Sequence, residues 1–519
     1  MTGAECLLRT LAANGVDTCF MNPGTSEMHF VAALDRVRDV RGVLCLFEGV
    51  CSGAADGYGR MLGRPAATLL HLGPGLANAL ANLHNARKAR TPIVNIVGEH
   101  STAHLRYDAP LSADIEAFAR TVSGYVRVVR DVAEMGAAAA ETVRAAVTPP
   151  GQVATLIVPA DLSWSEAAGD TPLISRPARA LPPRDKIEAA ARLLGIEGTA
   201  LLLGGTTTNE RALAAAGRLA ARTGARILAD RNAPRIASGR GRFQPLTVPY
   251  FPEPALALLA DVRRLILVET QAPVSFFGYP NTPSYLLPEE SSVSVLAERR
   301  EDGTAALEAL VEACGAGRAP IPQAAPLPVP AVGNGPLTLD AIGATLALRL
   351  PEQAILADEM VSAGAVVVPY LLRAAPHDRL PVTGGSIGQG LPVAGGAAFA
   401  CPDRKVVALE ADGSGMYTLQ ALWTMVRENL DVVTVIFANR RYQILEIEMQ
   451  RTGAAGLANR ANQMVDGMID IGRPPLDWVQ LAAGMGMPAS RAATTAEFDA
   501  QFRAAMEERG PRLIEACLA

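Results

Sequence analysis

The sequence predicts an α/β protein made of three doubly wound parallel-sheet domains. Short, wholly apolar runs alternate with helix-length segments along the chain, the pattern of strands covered by helices on both faces. Two Pro-rich stretches, 175–183 and 319–330, cut that alternation into three blocks. Length agrees, since 519 residues at roughly 100–200 per domain allow about three cores. A composition 49% hydrophobic and 19% charged is that of a chain that folds.

The first block, 1–178, opens with Thr2 and Glu5, a capping-box pair that starts a helix through Leu7, Leu8 and Leu11. Strands are expected at Val43–Phe47, Ala67–Leu72 and Ile93–Val97. The second block, 186–325, repeats the pattern with strands at Ala200–Leu203, Arg226–Ala229, Leu265–Val268 and Val293–Leu296 and a helix over Glu210–Arg222. The third, 337–519, places strands at Ala354–Ala357, Val406–Leu409, Val432–Phe437 and Leu513–Cys517, with a helix over Leu419–Leu430. In such sheets ligands bind beyond the carboxyl ends of the strands, so chemistry is sought there.

Several function classes are set aside at this point. A net charge of −5 gives no general attraction to nucleic acid or anionic lipid. The N-terminus has no basic leader pattern, and the longest apolar stretch, Ala363–Leu372, falls far short of the ~20 residues of a membrane span. Seven scattered Cys without metal-ligand spacing read as buried thiols in a reducing cytoplasm. Cys51 is the one candidate for a reactive thiol, and core packing is the preferred reading. The expectation is a soluble, cytoplasmic protein that engages neither nucleic acid nor membrane.

The sharpest constellation lies in the third block. A strand runs into Glu410-Ala411-Asp412-Gly413-Ser414-Gly415, a helix follows, and the next strand ends at Ala438-Asn439-Arg440-Arg441-Tyr442. Asp412 and Asn439 are 27 residues apart, about one strand–helix–strand unit, so both oxygen side chains emerge at one sheet edge. Hard oxygen ligands beside a Gly-Ser turn and a helix N-terminus suit Mg²⁺ with a diphosphate. Each residue alone fits a surface turn or a strand end; the spacing favours the metal.

Asp412-Gly413-Ser414 with Asn439 resembles the thiamine diphosphate motif. The chain is similar to the thiamine diphosphate-dependent decarboxylase and acetohydroxyacid synthase family over essentially its whole length. The resemblance implies that Asp412, Asn439 and the Arg441 carbonyl hold Mg²⁺, with Gly413, Ser414 and Tyr442 beside the diphosphate. Ala411 and Ala438 depart from the family's Gly and Asn. The family's cofactor-activating Glu maps to Glu48, in Leu44-Cys45-Leu46-Phe47-Glu48-Gly49 followed by Ala54-Ala55-Asp56-Gly57-Tyr58. A helix N-terminal acid would explain Glu48 alone, but not the string that follows it. Gly384-Gly385-Ser386-Ile387-Gly388 resembles the turn that bends the cofactor, which implies Ile387 as the apolar wedge and the Gly385 carbonyl as an acceptor for the aminopyrimidine.

Asn22-Pro23-Gly24-Thr25-Ser26-Glu27 and Leu70-His71-Leu72-Gly73-Pro74-Gly75-Leu76-Ala77-Asn78 resemble the family's active-site loops. By that resemblance Pro23 and Asn78 contact the cofactor, and His71, with Thr25 or Ser26, moves protons near the substrate, as imidazole suits. A lone His is more often a structural donor, but a strand-end position beside the cofactor motif favours the catalytic role. Leu111, Ile444 and Leu445 would line an apolar substrate cavity, while Phe277-Gly278 stands about where benzoylformate decarboxylases carry a second His. The implied activity is Mg²⁺- and thiamine diphosphate-dependent decarboxylation of a small 2-oxo acid to an aldehyde and CO₂. An acetolactate synthase-like carboligation is the alternative, and an inactive structural or regulatory homologue the remote one. FAD is not expected, because Gly204-Gly205-Thr206 lacks a dinucleotide fingerprint. A homodimer is the implied minimum and a homotetramer a common form, because in the family Glu48 and Asp412 meet across two chains.

Overall fold

The computed structural model describes residues 1–322, 333–454 and 464–519. Positions 323–330 of the second Pro-rich stretch lie outside the described residues. The first helix, Gly3–Ala13, carries the expected capping box, with Thr2 Oγ1 accepting from Glu5 N and Glu5 accepting from Thr2 N.

Strands β1 (Thr18–Asn22), β2 (Arg41–Leu44), β3 (Ala66–Leu70), β4 (Ile93–Glu99), β5 (Tyr125–Val128) and β6 (Val153–Pro159) form the first sheet. Its order is β2-β1-β3-β4-β6-β5, parallel throughout. β7 (Thr199–Leu203), β8 (Arg226–Ala229), β10 (Leu246–Thr247), β11 (Arg264–Val268) and β12 (Ser292–Ala297) form the second, also parallel, in the order β10-β8-β7-β11-β12. β9 (Ile236–Ser238) leaves that block and pairs antiparallel with β14 (His377–Pro381) at the edge of the third sheet. The third sheet is completed by β13 (Ile355–Glu359), β15 (Val406–Ala411), β16 (Val432–Ala438), β17 (Ala489–Ala492) and β18 (Arg512–Cys517), in the order β17-β18-β16-β15-β13-β14-β9. The α/β class read from the sequence is therefore the observed one, with three sheets.

The differences are local and have physical causes. The strand expected at Val43–Phe47 stops at Leu44; it is an edge strand with Arg41 and Gly42 exposed, and Phe47 caps a helix that begins at Glu48. The strand expected to reach Leu72 ends at Leu70, because Leu72 opens the helix Leu72–Ala89. The helix expected over Leu419–Leu430 spans Ala421–Arg427, preceded by a helical turn at Asp412–Gly415. β14 escaped the hydrophobic pattern because it buries His377, Asp378 and Arg379. Its charge is balanced by Arg235 and Arg404 on Asp378.

Strand order sets where ligands can sit. In the first sheet it reverses between β1 and β3, in the second between β7 and β11, and in the third between β13 and β15. A crevice opens beyond the carboxyl ends at each reversal. In the second sheet Glu269 stands at that crevice and accepts from Thr206 N, Thr206 Oγ1 and Gly303 N, and Thr206 and Glu269 face a cavity of about 940 Å³.

One hydrophobic core runs from the first sheet into the third. It is continuous because the helices Glu48–Leu62 and Gly390–Ala400 touch backbone to backbone. A Cβ on Gly57 would stand 2.1 Å from the Val393 carbonyl oxygen, and one on Gly396 1.9 Å from that of Ala54. The Asp-Gly-Tyr after Glu48 thus has a structural role. Asp56 pairs with Arg60, both side chains fully buried, and Arg60 donates on to the Pro381 carbonyl and Thr383 Oγ1. Tyr58 donates to Asp17 at 2.6 Å. Among the described residues no helix is long and apolar enough to cross a membrane, and all seven cysteines are free. Cys51 is fully buried and burial pushes its thiol far up, which makes it a packing residue.

Candidate active site

Three loops of the first domain converge at its crevice. Glu48 is the first residue of its helix and 7% exposed. Asn78 Nδ2 donates to its Oε2 at 2.9 Å, and Gly75 leaves room for the carboxylate, since a Cβ there would stand 3.2 Å from Oε1. His71 lies between β3 and the helix Leu72–Ala89, with its Nδ1 2.8 Å from Glu27 Oε2. Glu27 also accepts from Gly24 N at 2.8 Å, while its Oε1 is buried without a partner among the described residues. Burial pushes its carboxyl up, opposed by His71 and the Gly24 N–H. An Nδ1–H donated to Glu27 leaves Nε2 as the free nitrogen of His71. Gly24 rests against the imidazole, where a Cβ would be 2.3 Å from Nδ1. This places the half-buried Pro23 and Ser26 and the exposed Thr25 in the same loop cluster.

The third domain supplies the second cluster. Asp412 and Asn439 follow the adjacent parallel strands β15 and β16, as the 27-residue spacing implied. Asp412 is 3% exposed and accepts from Gly413 N at 2.9 Å and Arg440 N at 2.6 Å. Burial pushes its carboxyl up to about 6 despite those donors. Asn439 Oδ1 accepts from Arg441 N at 3.0 Å, which folds the loop back over Asp412. Ser414 is buried, and Gly413 is required by the Tyr442 ring, 2.5 Å from where its Cβ would be. Ala411 and Ala438, the two departures from the family pattern, are the last residues of β15 and β16, where a methyl group fits the strand.

Among the described residues no three His, Cys, Asp or Glu side chains gather as a metal cage. One buried carboxylate, one amide oxygen and a backbone carbonyl form instead the partial hard-oxygen set that Mg²⁺ accepts when phosphate and water complete its shell. The residues present therefore fit a metal–diphosphate group: among the described residues Asp412 forms no ion pair, with only the charge of Arg440 acting on it, and it opens the turn Asp412–Gly415.

The turn before Gly390 forms the third element. Gly385 and Gly388 have φ of +80° and +88°, a conformation that favours glycine. Phe276 of the middle block presses on Gly385, its Cζ 2.6 Å from where a Cβ would be. Ile387 is half-buried between these glycines. Leu111 is half-buried against the first-domain core, whereas Ile444 and the exposed Leu445 lie on the helix Gln443–Arg451. The proposed pocket residues thus belong to two clusters. A separate cavity of about 940 Å³ lies behind the turn, lined among others by Arg60, Arg90, Arg235, Phe276 and Gly384; neither Glu48 nor Asp412 reaches it.

Residues 1–118 match the thiamine pyrophosphate enzyme N-terminal TPP binding domain, and residues 366–516 match the corresponding C-terminal TPP binding domain. A Mycobacterium tuberculosis protein named provisionally as acetolactate synthase large subunit IlvX is 48% identical over 99% of this chain and 98% of its own. The chain belongs to the thiamine pyrophosphate enzyme family. Within that family, the benzoylformate decarboxylase of Pseudomonas aeruginosa is 28% identical over 97% of this chain and 96% of its own. The fold is shared with the 4-hydroxybenzoylformate decarboxylase of Rhodococcus jostii RHA1, at a TM-score of 0.85 and 24% identity, covering 100% and 99% of the two chains. The chain is thus a thiamine diphosphate-dependent enzyme of the acetolactate synthase and benzoylformate decarboxylase group. Its two matched regions contain, respectively, the Glu48–His71 cluster and the Asp412–Asn439 cluster with the Ile387 turn.

Sequence reasoning assigned no role to Glu27, Asn82 or Glu359. Glu27 was quoted in its motif without a partner. Asn82 falls on a polar stripe, Asn78, Asn82 and Asn85, whose helical spacing is visible in the sequence.

Proposed function

We propose that the protein is a Mg²⁺-dependent 2-oxo acid decarboxylase that releases an aldehyde and CO₂. The observation that carries this reading is the Glu27–His71 pair, an oriented imidazole on the loop cluster that also holds Glu48. Asp412, Asn439 and the Arg441 carbonyl would hold the metal, Gly413 and Ser414 the diphosphate, and Ile387 with the Gly385 carbonyl the bend of the cofactor. Bound there, thiamine diphosphate supplies an electron sink for the bond to the departing carboxylate. Glu48 holds and moves a proton at the pyrimidine side, with Asn78 fixing its Oε2. His71 Nε2 moves protons on the substrate side, assisted by Thr25 or Ser26. Leu111 from one cluster and Ile444 and Leu445 from the other would close around an apolar substrate chain where two chains meet. As in the family it resembles, Glu48 and Asp412 would meet across two chains, so the working unit would be a homodimer, which two such dimers can extend to a tetramer. The free cysteines suit the cytoplasm.

Acetolactate synthase-type carboligation is the second reading, favoured by the relative that is 48% identical. Incubation with Mg²⁺, thiamine diphosphate and either benzoylformate or pyruvate separates the two. One aldehyde and one CO₂ per 2-oxo acid supports the decarboxylase; a ligated hydroxyketone as main product overturns it in favour of the synthase.

The pair itself makes a prediction. In Glu27→Gln the amide replaces a charged acceptor at Nδ1, so the imidazole loses its orientation and part of its basicity. Turnover is expected to fall by about 10-fold to 100-fold, with the KM changing less than threefold. Steady-state kinetics across pH checks this, and an unchanged pH profile would refute the pairing.

A further inference from the structure

The turn that carries Ile387 is held by a carboxylate from the strand behind it. Glu359 ends β13 and faces Glu410, its register partner on β15; they are 1% and 0% exposed. Gly388 N donates to Glu359 Oε1 at 2.7 Å, and Gly390 N donates to its Oε2. One side chain thus takes donors on both sides of Gln389, at the start of the helix Gly390–Ala400. A carboxyl group already takes the N–H groups at that helix N-terminus, so they are not free for a diphosphate. Both oxygens of Glu410 lack partners among the described residues. Burial pushes both carboxyls up, while the donated N–H groups pull that of Glu359 back down.

The turn is closely packed on both faces. A Cβ on Gly390 would stand 2.2 Å from Glu410 Oε2 and 2.9 Å from Glu359 Cβ. On the outer side, Thr418 Oγ1 donates to the Gly388 carbonyl at 2.8 Å, and Asn82 Nδ2 reaches it at 3.3 Å. Asn85 Nδ2 donates to the Ser386 carbonyl at 2.7 Å, and Asn85 Oδ1 accepts from Ser386 N at 3.2 Å. The backbone before and after Ile387 is therefore gripped from both faces, and Glu359 supplies the grip on the inner face.

We propose that Glu359 is a positioning residue for the cofactor: by holding Gly388 N and Gly390 N it fixes the Ile387 side chain and the Gly385 carbonyl against the aminopyrimidine half. The proposal rests on the reading of Ile387 as the wedge. It goes beyond that reading in assigning the wedge's position to a buried acid on another strand. It also predicts a selective defect. Glu359 does not bond the Asp412–Gly415 turn, so losing it should weaken whatever the wedge contacts and spare whatever the metal turn contacts. In Glu359→Gln one N–H must face the amide NH₂, a donor against a donor, and the turn loosens.

Trp478 supplies the signal, because its Cη2 lies 2.7 Å from where a Cβ on Gly415 would be, directly beside the metal turn. Tryptophan fluorescence is titrated with Mg²⁺–thiamine diphosphate and, in parallel, with Mg²⁺–pyrophosphate, which lacks the aminopyrimidine. The expected result for Glu359→Gln is a dissociation constant for thiamine diphosphate raised about tenfold or more, with pyrophosphate binding held within twofold of wild type. Glu359→Asp keeps the carboxyl one methylene short and should show the same selectivity at roughly threefold, which serves if the Gln variant fails to fold. Equal weakening of both ligands, or no change in either, overturns the proposal. Wild-type protein that binds pyrophosphate but gains nothing from the aminopyrimidine overturns the wedge reading, and the proposal with it.

Discussion

Glu48→Gln is expected to lower kcat by about 10²–10⁴-fold, the range of a lost acid–base group, while the dissociation constant of thiamine diphosphate stays within threefold. The side chain is 7% exposed and opens a helix whose next residues pack on the third domain, so the substitution leaves volume and backbone unchanged. What it removes is the carboxyl proposed to pass a proton at the pyrimidine side. Asn78 Nδ2 can still donate to the Gln carbonyl oxygen, so the side chain should keep its place. Loss of turnover with retained binding would then report proton transfer alone. Two measurements check this: steady-state turnover, and proton NMR after acid quench to follow hydrogen–deuterium exchange at the reactive carbon of bound cofactor. Exchange as fast as in wild type would remove Glu48 from the activation step.

Glu48 and Asp412 were legible because each sits in a short string whose residues all bear on one place. Around Glu48 the string extends to Asp56, Gly57 and Tyr58, which the structure spends on packing: a buried ion pair with Arg60, a backbone contact with Val393 and a hydrogen bond to Asp17. Asp412 and Asn439 were legible through a distance along the chain, because one strand–helix–strand unit has a nearly fixed length. Partnerships across the fold left no such trace. Glu27 meets His71 from 44 residues away and Glu359 meets Gly388 from 29, and nothing local marks either contact. Strand β14 was hidden for a related reason, since its buried His377, Asp378 and Arg379 read as surface until Arg235 and Arg404 are placed beside them. Hydrophobic alternation finds strands that bury carbon; it does not find those that bury paired charge. The strand-end errors at Leu44 and Leu70 matter for the chemistry. Because the strands stop early, Glu48 opens one helix and His71, expected inside a strand, is the N-cap of the next.

Asp412→Ala is expected to abolish the Mg²⁺ dependence of cofactor binding and to weaken thiamine diphosphate by about 10²–10³-fold, as removal of a buried charged partner does. The carboxylate has two tasks, since it accepts from Gly413 N and Arg440 N and it faces the proposed cation. Asp412→Asn separates them: its carbonyl oxygen keeps one backbone donor and the shape of the turn but loses the charge. If the charge is what the metal needs, Asn should be nearly as damaging as Ala for Mg²⁺. If the turn is what matters, Asn should be close to wild type. The raised carboxyl adds a test in the metal-free protein. Asp412 titrates near 6 when folded against 3.8 as a free side chain, so folding favours its protonated form. Its contribution to stability is fully present below about pH 4 and is lost as pH rises through about 6. Above that, the apo-protein carries a buried anion that two backbone donors and the charge of Arg440 offset only in part, and Mg²⁺ with diphosphate should restore what ionisation removed. Thermal unfolding of metal-free wild type should therefore lose stability between about pH 4 and 6 relative to Asp412→Asn, which lacks this titration, and ligand should raise the melting temperature of wild type most above pH 6. Parallel pH curves for the two proteins would refute the assignment of that charge to the metal site.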